Sequence, residues 1–127
     1  MTKEENGYKI WWDDDNGIAR GIAYGVMTLE SANGIEREQN VIIERYGDGK
    51  DWLIDLSGVT KAPSKGRKKI SELSADPRTG RYAFYGASVF VRTVFNFMMA
   101  MAQKQDVRYF RTEEEGLHWL KGGTGRN

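Results

Sequence analysis

Hydrophobic and polar positions change period along the chain, and each change marks an element. Residues 8–12 (Tyr-Lys-Ile-Trp-Trp) are rich in aromatic and β-branched side chains and predict a first strand. Asp13-Asp14-Asp15-Asn16-Gly17 is a turn signal, and Asn-Gly tolerates the positive φ that a tight hairpin needs. Residues 18–26 resume as a second strand antiparallel to the first, in which Gly21 and Gly25 mark a bulge or a close packing contact. From Thr28, a suitable N-cap, the spacing changes to three and four. Leu29, Ala32, Ile35, Gln39, Ile42, Ile43 and Tyr46 then make one helix face. Asn33-Gly34 interrupts that pattern, so a helix starting near Gly34 is the alternative; Gly47-Asp48-Gly49 ends it in either case.

Residues 51–56 have a short apolar core between turn signals, as in a buried strand with helices on its faces. A loop is expected over 57–62, then Pro63 and a basic helix to about Ser74. After the turn Asp76-Pro77-Arg78-Thr79-Gly80, residues 81–86 predict a fourth strand, and Ser88 caps an apolar helix over 89–104. Residues 107–111 are a fifth strand, and Thr112-Glu113-Glu114-Glu115 is a capping box opening a last helix. The residues after Lys121 have little to bury, and a disordered tail is expected over about 122–127. The predicted order is ββαβαβαβα, an α/β chain with a five-stranded mixed, mostly parallel sheet flanked by helices.

Composition narrows what such a fold does. At 127 residues the chain fits one domain, long enough to bury roughly two-thirds of its unfolded surface. Lys and Arg (19) nearly cancel Asp and Glu (18), which argues against holding nucleic acid by bulk charge. The absence of Cys removes disulfides, thiolate nucleophiles and thiolate metal sites, and agrees with a reducing cytoplasm. The polar, acidic start lacks the order of a signal peptide. The longest apolar stretch, 89–102, is broken by Arg92, Thr93 and Asn96 and is too short and polar to span a bilayer. A soluble, cytoplasmic protein is expected.

Candidate chemistry is sparse. In an EF-hand reading of the 13–15 loop, counting back from Gly17 puts Trp12 at the first ligand position and Ala23 at that of the bidentate Glu, so a solvated hairpin tip is the better reading. His118, the single histidine, could be written into a triad with Ser64 and Asp55, but no nucleophile-elbow pattern accompanies it. Gly47-Asp48-Gly49-Lys50 lacks the spacing of a P-loop. No catalytic residue, metal or cofactor is therefore expected. Lys61, Lys65, Arg67, Lys68 and Lys69 cluster at the start of a helix, where cations oppose the helix dipole. They make either a solvated face or a docking surface for an acidic partner or a phosphate group. The helix over 89–102 is apolar nearly all round; Phe90, Phe97, Met98 and Met101 on it would meet a second subunit or an apolar ligand, or simply fill the core.

Residues 53–60 (Leu-Ile-Asp-Leu-Ser-Gly-Val-Thr), followed by Ser64-Lys65-Gly66, resemble the signature of STAS domains, the anti-sigma-factor antagonists related to SpoIIAA. In the small SpoIIAA-like proteins an apolar helix, a strand ending in Phe-Arg and then Thr-Glu-Glu-Glu-(Gly/Ala)-Leu-x-Trp-Leu recur. Here these are 89–102, Tyr109-Phe110-Arg111 and 112–120. The resemblance covers most of residues 8–121 and implies a SpoIIAA-like fold and a regulatory, non-enzymatic role in protein binding. In the antagonists a kinase phosphorylates the second serine of an Asp-Ser-Ser-Gly turn. Aligning that glycine on Gly66 puts Pro63 at the aspartate, Ser64 at the first serine and Lys65 on the phosphoacceptor, so the switch lacks its hydroxyl. The contact surface implied is Ser57, Lys61, Ser64, Lys65, Arg67 and Lys68, with a protein partner and a homodimer. The superfamily also takes in CRAL-TRIO lipid-transfer proteins. From these comes the alternative of a small apolar or lipid-like ligand, lined by the Met/Phe-rich helix with Trp11, Trp12 and Trp52.

Overall fold

The computed structural model describes residues 6–102 and 106–122, without the side chains of 97–102. Its chain order is β1 (Gly7–Asp13), β2 (Ile18–Val26), α1 (Leu29–Tyr46), β3 (Lys50–Lys61), α2 (Ser64–Ser74), β4 (Thr79–Tyr85), α3 (Val89–Ala102), β5 (Val107–Phe110) and α4 (Glu113–Leu120). The five strands lie side by side in sequence order. β1 is antiparallel to β2, and every later pair is parallel. This is the expected ββαβαβαβα order and mixed sheet. The expected tail falls, Gly122 apart, outside the described residues.

Local chemistry explains the boundaries. At the hairpin tip, Asn16 donates its backbone N–H and its amide to the Asp13 carboxylate (3.1 and 2.9 Å), and Gly17 takes φ 66°. Thr28 caps α1 by accepting the Ser31 N–H at 3.0 Å, so the helix starts there rather than near Gly34. Asn33-Gly34 lies within the helix, and Tyr8 packs against Gly34 so closely that a Cβ there would stand 2.2 Å from the tyrosine oxygen. Ser88 and Thr112 cap α3 and α4 as expected, accepting the N–H groups of Val91 and Glu115. The Glu115 carboxylate reaches back to the N–H of Arg111, one residue beyond the capping-box partner Thr112.

One expected loop is a strand. Residues 57–61 continue β3 beside the end of β2, with Tyr24 opposite Gly58, Gly25 opposite Val59 and Val26 opposite Lys61. The register shifts twice on the way, and Gly25 at φ 76° supplies the irregular backbone. Gly21 marks close packing instead, since a Cβ would meet Ile10 and Ile54 at 2.8 Å.

The sheet has two unlike faces. Ala19, Ala23, Trp52, Ile54, Leu56, Tyr82 and Phe84 pack under α1, α2 and α3, through Ile35, Ile42, Ile70, Leu73, Val91 and Phe95 among others. Inside that layer the Tyr82 hydroxyl donates to Gln39 Oε1 at 2.7 Å, and Gln39 Nε2 donates to the Leu73 carbonyl at 3.2 Å. On the other face Leu53 and Ala83 pack under Trp119 and Leu120 of α4. Gly116 lets that short helix lie close, because a Cβ would meet Leu53 at 2.9 Å. Arg81 fixes its far end by donating to the carbonyls of Trp119 and Leu120. Among the described residues, no helix is long and apolar enough to cross a membrane.

Candidate interaction surface

Parallel strands feed α2 and α3 from one edge of the sheet, so both helices start at the same end of the molecule as α1. At the start of α2, Gly66 is buried against the chain leading into α1: a Cβ there would lie 1.9 Å from the Met27 carbonyl oxygen. Only glycine fits, and the residues beside it are placed by that contact. Ser64 and Lys65 stand exposed in the first turn.

The basic cluster divides. Arg67 donates to the Ala62 carbonyl at 2.7 Å and so braces the chain entering its own helix. Lys69 pairs with Glu36 of α1 at 3.0 Å. Lys61, Lys65 and Lys68 are exposed. α2 has no side-chain cap, its N-cap being Pro63, and no acidic residue in its first turn. The helix N-terminus and three lysines therefore make the start of α2 positive, a setting for carboxylates.

Ser57 is also exposed, but its surroundings belong to the other side of β3. Its N–H donates to Asp55 Oδ1 at 2.8 Å, and a Cβ on Gly86 (φ 87°) would stand 3.2 Å from the Ser57 Cβ. The neighbouring Tyr85 hydroxyl is pushed up to about 12 by burial and by the Asp55 and Glu113 carboxylates. Across the sheet, Arg20 joins Asp13 of the hairpin to Glu113 at the start of α4. The Asn16 amide, with Arg20 beside it, holds Asp13 below the ordinary carboxylate range.

At the start of α3, Phe90 is 68 % exposed and Val89, which the sequence did not single out, 69 %. Val91 and Phe95 turn into the core instead. The other residues proposed for an apolar contact on this helix, Phe97, Met98 and Met101, lie outside the described side chains. Of the three tryptophans expected to line a pocket, Trp12 and Trp52 share the helix-covered face, both opposite Ala19, and Trp11 does not. Trp52 is in the core, stacked on Tyr82, and Trp12 stacks on Tyr46 at 4.0 Å. Trp11 alternates to the opposite face. The apolar cavity between the sheet and α1 and α2, lined by Ile35, Ile54, Ile70 and Phe84 among others, measures only about 10 Å³.

Ser64, Asp55 and His118 do not assemble as a triad: Ser64 starts a helix on one face of the sheet, while His118 is exposed on α4 of the other. The acidic loop is occupied with its own hairpin, Trp12 Nε1 donating to Asp14 at 3.1 Å.

No family model matches this sequence, and no curated protein matches it. Solved structures do match the fold. An uncharacterised protein of the DUF3478 family from Shewanella loihica PV-4, described as SpoIIAA-like, superposes with a TM-score of 0.67 at 15 % identity, over 94 % of this chain and 98 % of that one. The anti-sigma factor antagonist SpoIIAA in its unphosphorylated form gives 0.62 at 17 % identity, over 91 % and 98 %. A serine-to-glutamate variant of RsbS from Moorella thermoacetica gives 0.61 at 19 % identity, over 92 % and 97 %. The fold is SpoIIAA-like, that of the STAS domains, as the sequence motifs implied.

Proposed function

We propose that this chain is a non-enzymatic regulatory module that binds a protein partner at the edge where α2 and α3 begin, and that it does so without a phosphoserine switch. The carrying observation is Lys65, exposed directly before Gly66, which is itself buried against the Met27 carbonyl. The motif resemblance sets a phosphoacceptor at that position, and a lysine has no hydroxyl to phosphorylate. The likeness to a structure described as an anti-sigma factor antagonist supports a regulatory role.

The surface suits a partner with carboxylates around an apolar pocket. Lys61, Lys65 and Lys68 supply the charge, and Phe90 with Val89 the apolar anchor. Native mass spectrometry of the purified protein tests this reading against ligand carriage. The chain is expected without a bound small molecule; added mass matching a lipid would overturn the reading.

A further inference from the structure

The two edges of the sheet are finished differently. β5 is four residues long, with Arg108 exposed, and offers little to an incoming strand. β1 runs for seven residues, and among the described residues no strand pairs with its outer side. It contains no proline, and its register with β2 is unbroken from Gly7 to Asp13. The outward N–H and C=O groups of such a strand are a template for another.

Two exposed apolar groups border this edge from opposite faces. Trp11, 37 % exposed, lies on the face where α4 packs only over the later strands. Val41 of α1 is 52 % exposed. Two helical turns separate it from Gly34, so it shares the helical line that rests on Tyr8 of β1.

We propose that a second copy of this chain adds its β1 antiparallel to this one, across a two-fold axis at Ile10, giving one continuous sheet through both copies. The occupant follows from the strand's complementarity to itself. With Ile10 facing Ile10, Lys9 faces Trp11 of the second copy and Tyr8 faces Trp12 of the second copy, each pair occurring twice. Cation–π and aromatic cross-strand pairs result, Gly7 meets Asp13, and no like charges oppose each other. The register one residue further on would set Lys9 against Asp13, whose carboxylate is already taken by Asn16 and Arg20. An isologous pairing of this kind closes at two copies and leaves no long edge open. The sequence pointed to α3 for self-association; this proposal uses β1 and does not depend on the partner surface at α2.

Sedimentation velocity at high micromolar concentration tests it. The wild type is expected to sediment as a dimer. Trp11→Lys, which sets lysine against Lys9 of the second copy without touching the core, is expected to weaken that dimer at least tenfold, and Phe90→Glu to leave it intact. Because the chain has no cysteine, Ile10→Cys is expected to give a disulfide-linked dimer on mild oxidation. A monomeric wild type overturns the proposal. So does a dimer that withstands Trp11→Lys and dissociates with Phe90→Glu, or one that Ile10→Cys fails to link.

Discussion

Gly66 of α2 rests on the backbone of Met27, close enough that a Cβ would stand 1.9 Å from the carbonyl oxygen. The contact joins the start of α2 to the chain entering α1, and backbone cannot rotate aside as a side chain can. Gly66→Ala is therefore expected to cost about 3 kcal/mol or more, at the upper end of overpacking. Urea unfolding measures it, and a loss within the error of the extrapolation would show that the two segments part freely.

Tyr82 and Gln39 form the polar centre of the helix-covered layer, and both are buried. Removing the hydroxyl leaves Gln39 Oε1 without its donor in a place water does not reach. Tyr82→Phe should cost about 1–3 kcal/mol. Adding Gln39→Leu should cost less than the sum of the two single changes, as a double-mutant cycle in urea would show.

Tyr85 gives a pH signature. Burial and the Asp55 and Glu113 carboxylates raise its folded value to about 12, from the ordinary 10.0. A raised value means that the neutral phenol is favoured in the folded state. The stabilisation is therefore complete below pH 10.0 and lost as pH rises towards about 12. Wild type should lose more stability across that window than Tyr85→Phe. Equal losses would show that the hydroxyl is freely solvated.

The proposed absence of a phosphoserine switch has its own test. After incubation with extract of cells that make the protein and with ATP, intact mass spectrometry should show no added phosphate at Ser64. Phosphate on Ser64 would contradict the loss of the switch.

The sequence carried most of the fold because three of the four described helix starts have their own cap chemistry: Thr28, Ser88 and Thr112 each accept a backbone N–H of the first turn, as caps do. It failed over 57–61, where Ser-Gly-Val-Thr-Lys has too little apolar alternation to read as a strand. What makes it one is remote: Tyr24 lies over Gly58, with a Cβ there only 2.8 Å from the Tyr24 Cβ, and β2 bends through Gly25 to stay beside it. The basic cluster was visible as composition, but its division was not. The partners that occupy Lys69 and Arg67, Glu36 and the Ala62 carbonyl, are fixed only by how α1 and α2 pack. On α3, apolar residues all round hid which side the sheet covers, so Phe90 was noticed and Val89 was not.

The partner surface at the start of α2 is tested most directly by one capture experiment. Wild type and Lys65→Glu are immobilised separately, exposed to extract of cells that make the protein, and the retained proteins quantified by mass spectrometry. Reversing that charge against an acidic surface costs more than a factor of ten in affinity. A protein held by the wild type and reduced at least tenfold on Lys65→Glu is the predicted result. The same protein held equally by both, or none held above the bare matrix, would contradict it.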